Sequence, residues 1–192
     1  MITLSLNEIR EHSPCKSGWE KLLKSKQNTH WEEQFPLSDI INSNGLNDTL
    51  WCLRVRPEHS NLWRKYAVWC ARQVEHLMTD KRSKDALDIA WRHSEGVATD
   101  EELTAARDAA RHGARHGAGY GAWDAVANSA WAAGYVAWVA IANAAERAAW
   151  DAAMDAADAA RDAEGDDAGD AALAAQENKL REILKAGEWS DE

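Results

Sequence analysis

The sequence predicts an all-α protein: a helical bundle with short helices near the N-terminus and closely packed, antiparallel, Ala-rich helices in the C-terminal half. Three observations lead to this prediction. Apolar residues recur at three- and four-residue steps, Ser or Thr followed by Glu three positions later marks two helix starts, and small residues recur in pairs at every fourth position. With 11 Trp, one Phe and three Pro in 192 residues, the composition also disfavours disorder and an all-β fold.

Residues 1–55 are expected to form an N-terminal region of short helices. Ser5 and Glu8 have capping-box spacing, in which the hydroxyl and the carboxylate satisfy free backbone amides at a helix start. Pro14 favours a second helix start, and the polar residues 25–36 are predicted to be a loop. The pair Asn44–Gly45 is expected to end a further short helix, because both residues accept a left-handed backbone.

Residues 56–98 are expected to form a pair of helices. The first helix is predicted to begin at Pro57 and to carry one apolar stripe. The stripe comprises Leu62, Trp63, Tyr66, Cys70, Val74 and Leu77. The second helix is predicted to begin with Ser83 as its cap and to end at Gly96.

Residues 99–192 form the Ala-rich region, which opens with a second capping box at Thr99–Glu102. From Ala105 onward, pairs of small residues repeat at every fourth position. Four residues advance a helix by about 400°, so the small stripe drifts by about 40° per repeat around a straight helix. One interpretation is a helix wrapped by its neighbours. The favoured interpretation is a break near Gly117–Gly119, which resets the phase and gives antiparallel helices.

Large aromatic rings also cluster in this region. Tyr120, Trp123, Trp131, Tyr135 and Trp138 fall within roughly 120° of one another on a helical wheel. Such a stripe usually forms part of a core, but Trp and Tyr also dominate interface hot spots. Trp123, Trp131 and Trp138 are therefore candidate partner-binding residues.

The net charge of −10 is concentrated at the C-terminal end of the chain. From Asp151 to Glu192 there are 13 acidic and four basic residues, a net charge of −9. Seven of the acidic residues are candidate partner-binding residues: Asp151, Asp155, Asp158, Asp162, Asp166, Asp167 and Asp170. The alternative is an ordinary solvated helix face. Either way, this charge argues against direct binding of nucleic acid or of anionic lipid.

No catalytic activity, cofactor or metal site is predicted. The chain lacks a phosphate-binding Gly loop, a GxSxG elbow and an HExxH helix, and its three cysteines have no zinc-site spacing. His112 and His116 share one helix face, but no third ligand is positioned by the sequence. The uncharged stretch 125–145 is dominated by Ala and is interpreted as a buried helix rather than a membrane span. Without a secretory signal at the N-terminus, a cytoplasmic location is expected.

Several stretches of the chain are similar to one family. They are Ser13–Leu23, Ser43–Trp51, Cys70–Ala71 with Val74, Ala86–Leu87, Gly96, Ala98–Leu103 and the run Ala105–Ala110. In these stretches the chain resembles an Ala- and Trp-rich immunity protein family found in bacteria and on phage genomes. The resemblance implies a protective binding protein that neutralises a toxin or, on a mobile element, blocks a host defence complex. No established binding residues accompany this family.

The expected function is therefore a non-catalytic inhibitor that occupies a surface of a target protein, such as a toxin or a nucleic-acid-handling defence complex. One alternative is an acidic mimic of nucleic acid that blocks a nuclease or a CRISPR-type complex. A second alternative is a structural helical module. The small-residue faces could also pair two copies of the chain into a homo-oligomer.

Overall fold

A computed structural model describes residues 1–78, 80–116 and 145–190; the side chains of residues 111–116 and 145–148 are outside this description. The predicted all-α fold class is confirmed, since most of the described residues lie in helices. In these ranges the β structure is one antiparallel pair of two-residue strands, in which Thr3 is opposite Pro36 and Leu4 is opposite Phe35. None of the described helices combines the length and the hydropathy needed to span a lipid bilayer.

Contacts divide the chain into two units. Unit 1 comprises residues 1–57 and 177–192, and unit 2 comprises residues 58–176. The first boundary between the units follows Pro57. The last 16 residues, however, group with the N-terminal region rather than with the Ala-rich region that precedes them.

Unit 1 contains short elements, as expected for the N-terminal region. In chain order they are β1 (Thr3–Leu4), α1 (Leu6–Glu11), α2 (Lys16–Ser25), β2 (Phe35–Pro36), α3 (Ser38–Asn44), α4 (Leu46–Cys52) and a 3-10 helix at Leu53–Val55. The capping box is confirmed: the Ser5 amide donates to Glu8 Oε2 at 2.7 Å, and the Glu8 amide donates to Ser5 Oγ at 3.3 Å. Gly45, with a φ of +87°, follows the end of α3 as predicted.

The polar loop predicted for residues 25–36 is only partly correct. Helix α2 ends at Ser25, but Phe35–Pro36 forms the second strand. Phe35 is buried, and it pairs with Leu4 in the strand near the N-terminus. Two residues are too few to show an alternating strand pattern, which explains why the sequence did not indicate this pair.

The last residues of the chain complete unit 1. The Ile2 amide donates to the Leu184 carbonyl at 2.8 Å, and Arg181 donates to the side chain of Asn42 at 2.8 Å. Leu180, Ile183 and Leu184, near the C-terminal end of the last helix, are buried. These contacts provide the physical reason for the grouping of the chain end with residues 1–57.

Unit 2 contains longer helices. They are α5 (Ser60–Arg72), α6 (Lys81–Ser94), α7 (Asp100–His116), α8 (Ala145–Glu164) and the first part of α9 (Asp166–Ala186). Two 3-10 helices, Pro57–His59 and Glu75–Leu77, lie immediately before and after α5 in sequence. Helix α5 packs against α6 and α8, and α6 packs against α7. The helix predicted to begin at Pro57 thus starts with a 3-10 turn.

Two capping predictions in this unit have different outcomes. The capping box at Thr99 and Glu102 is confirmed by reciprocal hydrogen bonds of 2.8 and 3.2 Å. The prediction of Ser83 as the cap of α6 is wrong: Asp80 caps this helix, accepting the Arg82 amide at 2.8 Å, while Ser83 is buried inside the first turn. Asp and Ser are comparable caps, so the sequence alone does not rank two neighbouring candidates.

Close packing of small residues is present in α8. Its buried alanines are Ala149, Ala152, Ala153, Ala156, Ala157, Ala159 and Ala160. Helix α5 packs against α8, and Val74, which follows α5, lies in one buried cluster with Ala156, Ala159 and Ala160, against which Leu77 also packs. Part of the small-residue face of α8 is thus covered by larger aliphatic side chains. The small-residue repeat between residues 117 and 144, with the break expected near Gly117–Gly119, lies outside the described residues.

Candidate partner-binding surface

A single residue separates the two helices that carry most of the acidic residues between Asp151 and Glu192. Helix α8 ends at Glu164, Gly165 has a φ of +101°, and α9 begins at Asp166. Such a backbone is accessible to Gly and strained for other residues. The carboxylates at the end of α8 and at the start of α9 therefore meet around one turn.

Six exposed acidic residues surround this turn and are called the acidic corner. They are Asp158, Asp162, Glu164, Asp166, Asp167 and Asp170. With Arg161, which lies among them, the corner has six carboxylates and one guanidinium, a formal charge of −5. The side chain of Asp166 is 93% exposed and that of Asp170 is 78% exposed, so these carboxylates are almost fully hydrated.

Arg161 lies at the centre of the acidic corner. Its guanidinium is 2.8 Å from Asp158, 3.7 Å from Asp166 and 3.6 Å from Asp170. Each exposed pair contributes little to stability, since water and salt screen it. The pairs with Asp166 and Asp170 join α8 to α9, and all three pairs group carboxylates around one guanidinium.

His76 marks the edge of the acidic corner. Its Nε2 lies 2.9 Å from Glu164 Oε1, and because a carboxylate can only accept, the imidazole is the donor. His76 belongs to the 3-10 helix after α5, so this contact joins that segment to the end of α8. The contribution of His76 was not predicted, because 88 residues separate it from Glu164 in the sequence.

The four acidic candidates on α8, Asp151, Asp155, Asp158 and Asp162, differ in exposure. Asp158 and Asp162 are exposed, but Asp155 is half-buried and Asp151 is 7% exposed. At three- and four-residue spacing these positions share a helix face, so the difference in burial arises along the axis of α8. Burial, with the charges of Asp151 and Asp158, raises the pKa of Asp155 to about 6. Asp151 and Asp155 therefore belong to the packed part of the helix.

The structure does not describe the side chains of the aromatic and histidine candidates. Trp123, Trp131 and Trp138 lie outside the described residues, as do the side chains of His112 and His116. In the described ranges, no three His, Cys, Asp or Glu side chains form a group that could hold a metal ion. Cys52 and Cys70 are buried thiols, and burial raises the pKa of Cys52 to about 12.

The N-terminal stretches Ser13–Leu23 and Ser43–Trp51 meet in unit 1. Asn44 Nδ2 donates to the Gly18 carbonyl and to Asp48 Oδ2, both at 2.8 Å. Gly18 is tightly enclosed, since a Cβ atom there would lie 2.9 Å from Asp48 Oδ2. These stretches therefore form a packing contact between α2 and the α3–α4 pair.

Comparisons of the chain with protein-family models, with curated proteins and with solved structures gave no match.

Proposed function

We propose that this chain is a non-catalytic protein inhibitor, of the immunity or anti-defence type, whose acidic corner occupies a cationic surface of a target protein. The observation that carries the proposal is the arrangement of six exposed carboxylates around the turn between α8 and α9. Arg161 is the one basic residue among them. Concentrated charge of one sign attracts an oppositely charged partner and speeds association. It also disfavours partners with anionic surfaces.

The corner suits binding because it is pre-organised. Arg161 contacts three of the carboxylates, and the short connection through Gly165 keeps the ends of the two helices close together, so the charges are already grouped before a partner binds. The carboxylates remain mostly hydrated, which favours rim-type ion pairs with Lys and Arg of the target. Such pairs chiefly set the rate of association and the choice of partner.

The same exposure makes the corner poorly suited to catalysis. General acid–base chemistry needs a site that excludes water and separates the pKa values of two groups. Asp158, Asp166 and Asp170 are exposed on the outside of the turn. We therefore assign the corner a role in recognition.

The test compares two variants with the same change in total charge. In the corner variant Asp158, Asp166, Asp167 and Asp170 are all replaced by Asn; in the control variant Glu11, Glu20, Glu32 and Glu101, which are also exposed, are replaced by Gln. The target is captured from native cells on the wild-type protein and purified. Its affinity for each variant is then measured by calorimetry at low and at high salt.

We expect the corner variant to bind at least about tenfold more weakly and the control variant to bind within about threefold of wild type. We also expect wild-type affinity to fall as salt rises, because salt screens exposed charges. Equal affinities of the corner variant and wild type would exclude the acidic corner as the binding surface. Asp151 and Asp155 are left unchanged, since their replacement would alter packing as well as charge.

The captured target also decides between the narrower forms of the proposal. If duplex DNA competes for the same surface and competition weakens with salt, the chain acts as an acidic mimic of nucleic acid. If a toxin without a nucleic-acid site is captured, the immunity interpretation is supported. Failure to capture any target under native conditions would favour the structural helical module.

A further inference from the structure

We draw no further inference here: the strongest candidate, the surface patch in which Trp31 meets Trp19 edge-on and lies beneath the Arg10 guanidinium, is an exposed aromatic face, and nothing in the structure shows what covers it.

Discussion

The side chain of Arg161 lies directly against the backbone of Gly169. A Cβ atom at position 169 would be 2.8 Å from Arg161 Cβ and 3.0 Å from its Nε and Cζ atoms, closer than van der Waals contact allows. Gly169 is buried, although it lies in the first turn of α9 among exposed acidic residues. The absence of a side chain at Gly169 therefore lets Arg161 reach the carboxylates on both helices.

Replacement of Gly169 by Ala is expected to destabilise the protein by about 1 kcal/mol or more, because the added methyl group overlaps Arg161 at the root of its side chain. This direction is opposite to the usual one, since Ala in a helix is more stable than Gly by about 1 kcal/mol. The measurement is urea-induced unfolding followed by circular dichroism.

The control for this replacement is Asp170→Ala, which removes a distant carboxylate partner of Arg161 and adds no atoms. We expect the control to change stability by less than about 0.5 kcal/mol, as is usual for exposed ion pairs. A Gly169→Ala variant more stable than wild type would contradict the close approach of Arg161.

Local features of the fold could be predicted from the sequence. The capping boxes at Ser5 and Thr99 each depend on residues three positions apart, and Gly45 ends α3 through its own backbone conformation. The energies that determine these features act within one helix turn. Short patterns therefore suffice to locate them.

Features that depend on distant parts of the chain could not be predicted in this way. A helical wheel places Asp151 and Asp158 on one face, yet it cannot show that only Asp151 is covered. Similarly, no pattern indicates that Arg161 packs on Gly169 or that Ile2 pairs with Leu184. These contacts depend on how whole elements pack, which a residue-by-residue pattern does not describe.

Glu8 is expected to stabilise unit 1 through its charge. Both of its oxygens bind Arg56 at 2.9 Å, and Oε2 also accepts from the Ser5 amide and from Gln34. The Arg56 guanidinium, against an opposing effect of burial, lowers the pKa of Glu8 to about 2. Replacement of Glu8 by Gln should therefore lower stability at pH 7 by about 1 kcal/mol, a value discounted for solvent screening.

The loss of stability caused by Glu8→Gln should be largest near neutral pH and should shrink as pH falls. Because the folded pKa lies below the ordinary value of 4.5, the stabilisation is complete above pH 4.5 and is lost as pH falls towards 2. Urea unfolding at pH 7, 4 and 2.5 measures this loss. As a control, Glu20→Gln removes an exposed pair with Lys16 and should have a small effect throughout. A Glu8→Gln effect that is constant with pH would argue against the charged contact.

Asn44 is expected to be important for the contact between α2 and α4. Its amide nitrogen donates two hydrogen bonds of 2.8 Å, to the Gly18 carbonyl and to Asp48. Asn44→Ala should cost about 1–2 kcal/mol, because two half-buried acceptors lose their donor. Asn42→Ala, which removes one exposed hydrogen bond from Arg181, is the matched control and should cost less. Thermal unfolding of both variants under the same conditions measures the difference, and equal losses would contradict the prediction.

Asp155 is expected to act on stability in the direction opposite to Glu8. Its folded pKa of about 6 lies above the ordinary value of 3.8, so the folded protein retains this proton after the unfolded chain has released it. Stability should therefore fall as pH rises from about 4 to about 6 and then remain lower, because the charged carboxylate is half-buried beside Asp151 and Asp158. Asp155→Asn removes this dependence and should stabilise the protein at pH 7.5 by about 1 kcal/mol after allowance for solvent screening.

Asp162→Asn is the matched control for Asp155→Asn, since both residues lie on the same face of α8 but Asp162 is exposed. Unfolding free energies of wild type and of both variants at pH 4.5 and 7.5 measure the two effects. We expect Asp155→Asn to gain more at pH 7.5 than at pH 4.5, and Asp162→Asn to show no comparable gain. Since replacement could also change packing, carboxyl chemical shifts of wild-type Asp155 from pH 3 to 8 provide a direct check. A midpoint near the ordinary value would show that the Asp155 carboxylate is hydrated and that α8 is less covered at this position than the structure indicates.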